Sequence, residues 1–309
     1  MRCCASCRRW LIDPRRMAIS RRRPPQRHGL AVVDKPAGMT SHDVVATARR
    51  TLGERRIGHS GTLDPDATGV LLLGIGSVTR LLRYLTALGK TYTAEIVLGT
   101  ETSTLDSSGS VTARHDMTAV TPAAVRAAAA QLTGEIEQVP PMVSAVRVGG
   151  RRLHELAREG IEVDRPARPV TVYRFDIEET ADPLVYRAEV ECSAGTYVRT
   201  LAADLGHLVG GGAHLRELRR TAVGSFTVAE AHALSDLVVL APREALRDYP
   251  HVTVDAEVAA LVAHGRVLPP FAEGAGPWAV VDTAGALLAV YERHGESVKP
   301  AVVLADSAG

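Results

Sequence analysis

Asp64 and Asp66 flank Pro65 in the stretch GHSGTLDPDATGVLLLGIG, residues 58–76. Two carboxylates in a glycine-rich loop are open to four readings. A phosphate cradle needs a G-x-x-x-x-G-K-[ST] loop; that pattern is absent, and carboxylates repel phosphate. Mg²⁺ or Ca²⁺ could take an oxygen from each Asp, but the run of acidic ligands closing on Glu is missing. The same residues suit an ordinary turn, in which Asp accepts from nearby N–H groups. The fourth reading is a catalytic carboxylate held beside a buried strand and stiffened by Pro65. Gly58, Gly61 and Gly69 would then let a large ligand approach closely. An ionised Asp in such a place needs a cation, and Arg199, which follows a later strand, is a candidate. Spacing alone does not choose between the turn and the catalyst.

These residues must be carried by regular elements. Residues 70–73 are apolar enough for a buried strand, and residues 30–34 (LAVVD) form another, ended by the turn Lys35-Pro36-Ala37-Gly38. Thr40-x-x-Asp43 resembles a capping box; Val44, Val45, Ala48 and Leu52 mark one helix face, and Gly53 suits the position after its end. Leu81, Leu82, Leu85 and Leu88 predict a second helix, stopped by Gly89. Tyr92, Ala94, Ile96 and Leu98 alternate as a half-buried strand, with Tyr92 on its core side. Residues 100–120 are rich in Thr, Ser and Asp and read as loop, and Thr121-Pro122 opens an Ala-rich helix closed by Gly134. Residues 138–148 are extended around paired prolines, and residues 151–158 fit one or two helical turns. Tyr186, Ala188, Val190 and Cys192 alternate as a strand; residues 195–199 then lead into a helix running to about Val209. Residues 210–212, all Gly, form a flexible joint before the basic run 214–220 (HLRELRR). From about residue 250, β-like runs at 278–282, 286–291 and 301–304 predict a small appended β-rich domain.

The chain has 309 residues, 46% hydrophobic and 23% charged, within the globular range, and no apolar run approaches a membrane span. The net charge of +1 hides an asymmetry: residues 1–28 hold nine arginines against the single acid Asp13. The remainder has 27 basic against 34 acidic residues, a net of −7. Its charge therefore gives no support to nucleic-acid binding except through a local patch. Residues 214–220 and 147–152 are the most basic, and suit phosphate contacts and solvated helix faces equally. The leader has no apolar stretch for a secretory signal and reads as a disordered basic arm, with Met17 a second candidate start. Cys3, Cys4 and Cys7 lack a partner pair at zinc spacing, so no metal is expected; Cys192 is single, and a reduced, cytoplasmic protein is the default. The expected division is an arm at 1–28, a main domain at 29–249 and a small one at 250–309.

Five blocks in order, LAVVDKPAG (30–38), GHSGTLDPDATG (58–69), KTY (90–92), QVPPMVSA (138–145) and CSAGTYVRT (192–200), closely resemble the bacterial TruB family of tRNA pseudouridine-55 synthases. The resemblance is strong over residues 29–230 and looser in the tail. It implies an α/β (α+β) fold, a mixed, mainly antiparallel sheet flanked by helices, with a C-terminal PUA-like RNA-binding domain. It also implies that Asp64 is the catalytic aspartate, Tyr92 the tyrosine stacked on a flipped base, and Arg199 the arginine paired with the carboxylate. His59 matches the loop histidine that enters the tRNA T-loop, and Tyr197 a tyrosine of the same pocket. Lys35, with Pro36, matches a motif of the active-site wall and is grouped with the substrate-binding residues. The implied substrate is the T-arm of tRNA; a monomer with no metal, cofactor, membrane or protein partner is expected. Val143 stands where the family often has an aromatic and His154 where Tyr is common, and the Arg-rich leader lies outside the usual pattern.

The implied chemistry suits the residues. Breaking N1–C1′, rotating the base and joining C5 to C1′ oxidises nothing and transfers nothing from outside. A carboxylate could attack C6, attack C1′, or stabilise a cation-like sugar and take a C2′ proton; each needs an ionised Asp at the substrate. Unstacking the uridine costs a few kcal/mol, of which an aromatic platform recovers about 1–3 kcal/mol.

Overall fold

The computed structural model describes residues 25–144, 147–271 and 273–304. Most of the expected basic arm, with its three cysteines, lies outside the described residues. Residues 26 and 27 are already tied down, their N–H groups donating to Glu54 Oε2 at 2.9 and 3.5 Å.

A nine-stranded sheet organises the main body. Its order is Gly29–Lys35, Thr68–Ile75, Ala213–Val223, Lys90–Leu98, Val185–Cys192, Arg168–Glu179 and Gly134–Gln138; Ile57–Ser60 pairs with the second of these and Phe226–Thr227 with the third. Every pairing is antiparallel except that of Thr68–Ile75 with Ala213–Val223, which matches Thr68 to Arg219 and Gly69 to Arg220. The period-two pattern of the sequence sets the faces. Tyr92, Ala94, Ile96 and Leu98 point to the same side as Ala188, Val190 and Cys192, under the helices Pro122–Gln131 and Val198–Leu208. Ile96, Leu98 and Val190, fully buried, each contribute about 1.5–3 kcal/mol. Helix Ser41–Leu52 starts on the Thr40–Asp43 capping box and ends on Gly53 in the left-handed region. Its Val44, Val45, Ala48 and Leu52 cover the first strands at Ala31, Val33, Leu71 and Leu73.

A second sheet of four strands, His251–Val254, Trp278–Asp282, Leu287–His294 and Ser297–Val303, occupies the C-terminal part. Residues 278–281 (WAVV) are apolar throughout because both faces are covered. Trp278 and Val280 pack with Val262 of helix Ala256–Ala263, whereas Ala279 and Val281 share a core with Leu30, Val32, Val70 and Leu72 of the main sheet. The small sheet therefore completes the main core rather than hanging from it. No helix among the described residues is long and apolar enough to cross a membrane.

Three expectations are corrected. Residues 214–220 are neither a joint's flank nor a helix face but part of the central strand Ala213–Val223. Register shifts between Arg216 and Arg219 and between Arg220 and Ala222, with Glu217 at φ 54°, break the alternation that would have marked it as a strand. The polar run 100–120 contains the hairpin Thr100–Thr102 with Val111–Arg114. Gly134 opens a strand, the Ala-rich helix having stopped at Gln131.

Candidate active site

The loop that carries Asp64 is bound to the protein by its own main chain. Lys35 is fully buried, and its ammonium donates to the carbonyls of Pro36 (2.9 Å), Pro65 (2.8 Å) and Ala67 (2.6 Å). The Ser41 hydroxyl donates to the Leu63 carbonyl (3.1 Å) and accepts from the Leu63 N–H (2.9 Å). Gly38 N–H reaches the Pro65 carbonyl at 3.0 Å, and Ala67 N–H closes a turn on the Asp64 carbonyl at 3.2 Å. Satisfied polar groups on both sides of Asp64 fix where its carboxylate can point. Burial lowers the Lys35 ammonium to about 8, against the pull of Asp66 and Asp64, so it stays charged at neutral pH.

Lys35 thus braces the loop from behind, as a residue of the active-site wall, and is not among the residues lining the cavity described below. Lys35→Met should take the ammonium from the Pro36 and Ala67 carbonyls and leave the Pro65 carbonyl only the Gly38 N–H, lowering stability by about 3 kcal/mol or more, measured by chemical denaturation. An unchanged midpoint would remove the bracing role.

Arg199, near the start of helix Val198–Leu208, meets Asp64 across 135 residues of sequence, Nε to Oδ2 at 3.1 Å and Nη2 to Oδ1 at 3.5 Å. Only 5% of its side chain is exposed, against 40% for Asp64, so the arginine is the fixed partner and the carboxylate faces the opening. Arg199 is itself gripped by the Thr104 and Val143 carbonyls, both at 2.8 Å, and by Asp106 Oδ2 at 3.4 Å. Asp106 is held in turn by the Thr104 hydroxyl (2.6 Å) and the Ser108 N–H (3.1 Å). Burial raises the Asp64 pKa, Arg199 pulls it back down, and Asp106 adds to the rise. The carboxylate is poised between a cation that ionises it and an anion that resists.

Asp64, Tyr92, Tyr197 and Arg199 line one cavity of about 260 Å³, together with Lys90 and Arg220. Tyr92 sits in its floor, almost fully buried, and burial raises its phenol's pKa, so at neutral pH it is an uncharged aromatic surface. Lys90 donates to the Thr86 and Leu88 carbonyls at 2.9 and 2.6 Å, and burial with the nearby Arg220 lowers it to about 8. Arg220 donates to the Val70 carbonyl at 2.7 Å and the Gly61 carbonyl at 3.1 Å. Gly69 makes this possible: at φ 100°, any Cβ there would lie 2.1 Å from the Arg220 carbonyl oxygen. The space left by Gly69 is filled by the neighbouring strand, not by a ligand.

His59 is not among the cavity-lining residues; it lies two residues before Gly61, on the strand Ile57–Ser60. Its ring meets His42 edge-on at 5.3 Å, and its buried Nδ1 has no hydrogen-bond partner among the described residues. Burial, with the charges of His42 and Arg220, lowers it to about 4, so it is neutral at physiological pH.

Sequence reasoning missed Asp106, Arg220, Lys90 and Gln138. Gln138 is buried; its amide oxygen accepts from Tyr197 N–H at 2.7 Å, and its nitrogen donates to the Tyr197 carbonyl at 3.1 Å. This pins the residue just before the helix that carries Arg199. The quoted block QVPP contained the residue, but only the fold shows what it holds. Gln138→Ala should destabilise by about 1–3 kcal/mol and lower turnover more than it weakens RNA binding, as steady-state kinetics would show. Of the expected basic patches, Arg216 and Arg219 pair with Glu95 (2.6 Å) and Asp34 (2.8 Å), and Arg151 pairs with Glu159. The side chains of Arg147, Arg152 and His154 lie outside the described residues.

Three family models match the chain in succession: TruB family pseudouridylate synthase (N terminal domain) over residues 49–198, tRNA pseudouridylate synthase B C-terminal domain over 199–249, and tRNA pseudouridine synthase II, C terminal, over 249–305. A tRNA pseudouridine synthase B from Arthrobacter sp. (strain FB24) is 45% identical over 297 residues, covering 90% of this chain and 97% of the relative. Another from Thermobifida fusca (strain YX) is 45% identical over 291 residues, covering 90% of this chain and 99% of the relative. Among solved structures, a chain of a Cbf5-Nop10-Gar1 complex superposes with a TM-score of 0.70 at 26% identity, covering 89% of this chain and 84% of that one.

Proposed function

This chain belongs to the TruB family of pseudouridine synthases, and from that premise we propose that it isomerises uridine to pseudouridine at position 55 in the T-loop of tRNA, with Asp64 acting on a flipped-out base. The observation that carries the reading is the Asp64 carboxylate, held 3.1 Å from a buried arginine and opening into a cavity floored by a tyrosine. A uracil entering that cavity lies on Tyr92, with its sugar towards Asp64. Arg199 keeps the carboxylate ionised and aimed while it attacks the ring or the sugar, or takes the C2′ proton. Lys90 and Arg220 give the same wall a positive field, which favours negative charge on the uracil as N1–C1′ breaks. Tyr92, uncharged, is placed to pass a proton as the base turns. His59, neutral and beside the rim, fills the space that the base leaves in the RNA. The C-terminal sheet is a PUA-like RNA-binding domain, and the protein works as a cytoplasmic monomer without metal or cofactor.

The test is tritium release from unmodified tRNA carrying C5-tritiated uridine, with no cofactor and with chelator present. Release is expected, and is expected to vanish when uridine 55 is replaced by cytidine. No release, or undiminished release from the replaced tRNA, would contradict the assignment.

A further inference from the structure

A second cavity, of about 250 Å³, shares Tyr197 and Gly195 with the active cavity and is also lined by Gln138, Pro140, Arg168 and Pro169. No carboxylate lines this cavity. Arg168 is exposed and makes no ion pair among the described residues. Arg165 donates to the Pro140 carbonyl at 3.1 Å, and its Nε is buried without a hydrogen-bond partner among the described residues. Its one acid, Glu162, is 3.9 Å away and mostly exposed.

The other neighbour of the active cavity has the opposite character. A cavity of about 190 Å³ beyond Asp64 is lined by Asp64, Asp66, Asp106 and Glu217. Its cations, Arg199 and Arg216, are already paired with Asp64 and Glu95. A phosphodiester is repelled there and attracted past Tyr197.

We infer that the cavity between Tyr197 and Arg168 seats the phosphodiester adjoining the target uridine, with Arg168 as its cation and Arg165 behind it. The inference rests on the functional reading above and adds the path by which the backbone leaves the active cavity. Arg168 is the first residue of the strand Arg168–Glu179, so its main chain is carried by the sheet while its exposed side chain is free to meet a phosphate.

The test uses the full chain and a stem-loop RNA of T-arm sequence, with binding read by fluorescence anisotropy. Arg168→Ala should raise Kd about fivefold near physiological salt and make the slope of log K against log salt shallower by about 0.7–0.9. The kinetic loss should appear in KM rather than kcat. Arg168→Lys should restore the slope, because it keeps a point charge. An RNA with a neutral methylphosphonate at one linkage flanking the target uridine should cost the parent protein the same fivefold and cost Arg168→Ala nothing further. Equal Kd and slope for parent and Arg168→Ala, or losses that add, would overturn the inference. Tritium release on the same samples separates the two claims. Release with unaltered Arg168→Ala binding sinks this site and leaves the functional reading; no release by the parent sinks that reading.

Discussion

Asp64→Asn should abolish tritium release, by at least about 10⁴-fold, while tRNA binding stays within about threefold of the parent. The amide has the shape of the carboxylate but cannot attack carbon, take a proton from C2′ or balance a cation-like sugar. Every route open to this chemistry needs the charge, so the loss falls on kcat. The fold should survive. Asp64 is partly exposed, and Arg199 keeps the Thr104 and Val143 carbonyls and Asp106 after the substitution. Thermal unfolding measured beside activity tells chemistry from collapse. A fully active Asp64→Asn would eliminate the assigned mechanism.

Arg199→Met and Asp106→Asn should move the acid limb of the pH–rate profile in opposite directions. The proposed mechanism needs an ionised Asp64, so kcat/KM should fall as pH drops through the Asp64 pKa. Arg199 lowers that pKa and Asp106 raises it. Removing the guanidinium therefore shifts the limb to higher pH, and neutralising Asp106 shifts it to lower pH. Arg199→Met should also reduce kcat/KM about a thousandfold, because the carboxylate loses its aim as well as its charge partner. It should cost about 3–5 kcal/mol of stability, since it leaves the Thr104 and Val143 carbonyls and Asp106 without their shared donor. Arg199→Lys keeps the charge with three donors in place of five, so it should hold the limb near the parent's position yet remain well below parental activity. A limb that stays fixed in both Arg199→Met and Asp106→Asn would show that it reports some other group.

The local elements were legible in the sequence because their causes are local. Thr40 and Asp43 cap a helix whoever their neighbours are, and Tyr92, Ala94, Ile96 and Leu98 alternate because a strand buries every second residue. The Asp64 loop was legible as a motif, and its resemblance to a known family assigned a role that spacing alone left open. Charge patterning misled at residues 214–220. A run of arginines reads as a wet surface, yet it became a central strand. Arg220 is buried there against the carbonyl of Val70, 150 residues away, and Arg219 lies against Asp34.

What the tertiary structure alone decided is which distant groups neutralise one another. Arg199 meets Asp106 because the polar segment after Thr102 docks on the central strand, with Ser107 N–H donating to the Leu215 carbonyl at 3.0 Å. Lys35 proves to be a brace, and Gly69 a seat for the Arg220 main chain, because strand register sets which backbone lies against which. The sequence alone determined that an aspartate would sit in a stiff turn ahead of a buried strand. Whether that aspartate could be ionised, aimed and faced by an opening depended on electrostatic partners and packing surfaces that only the assembled sheet brings within a few ångströms.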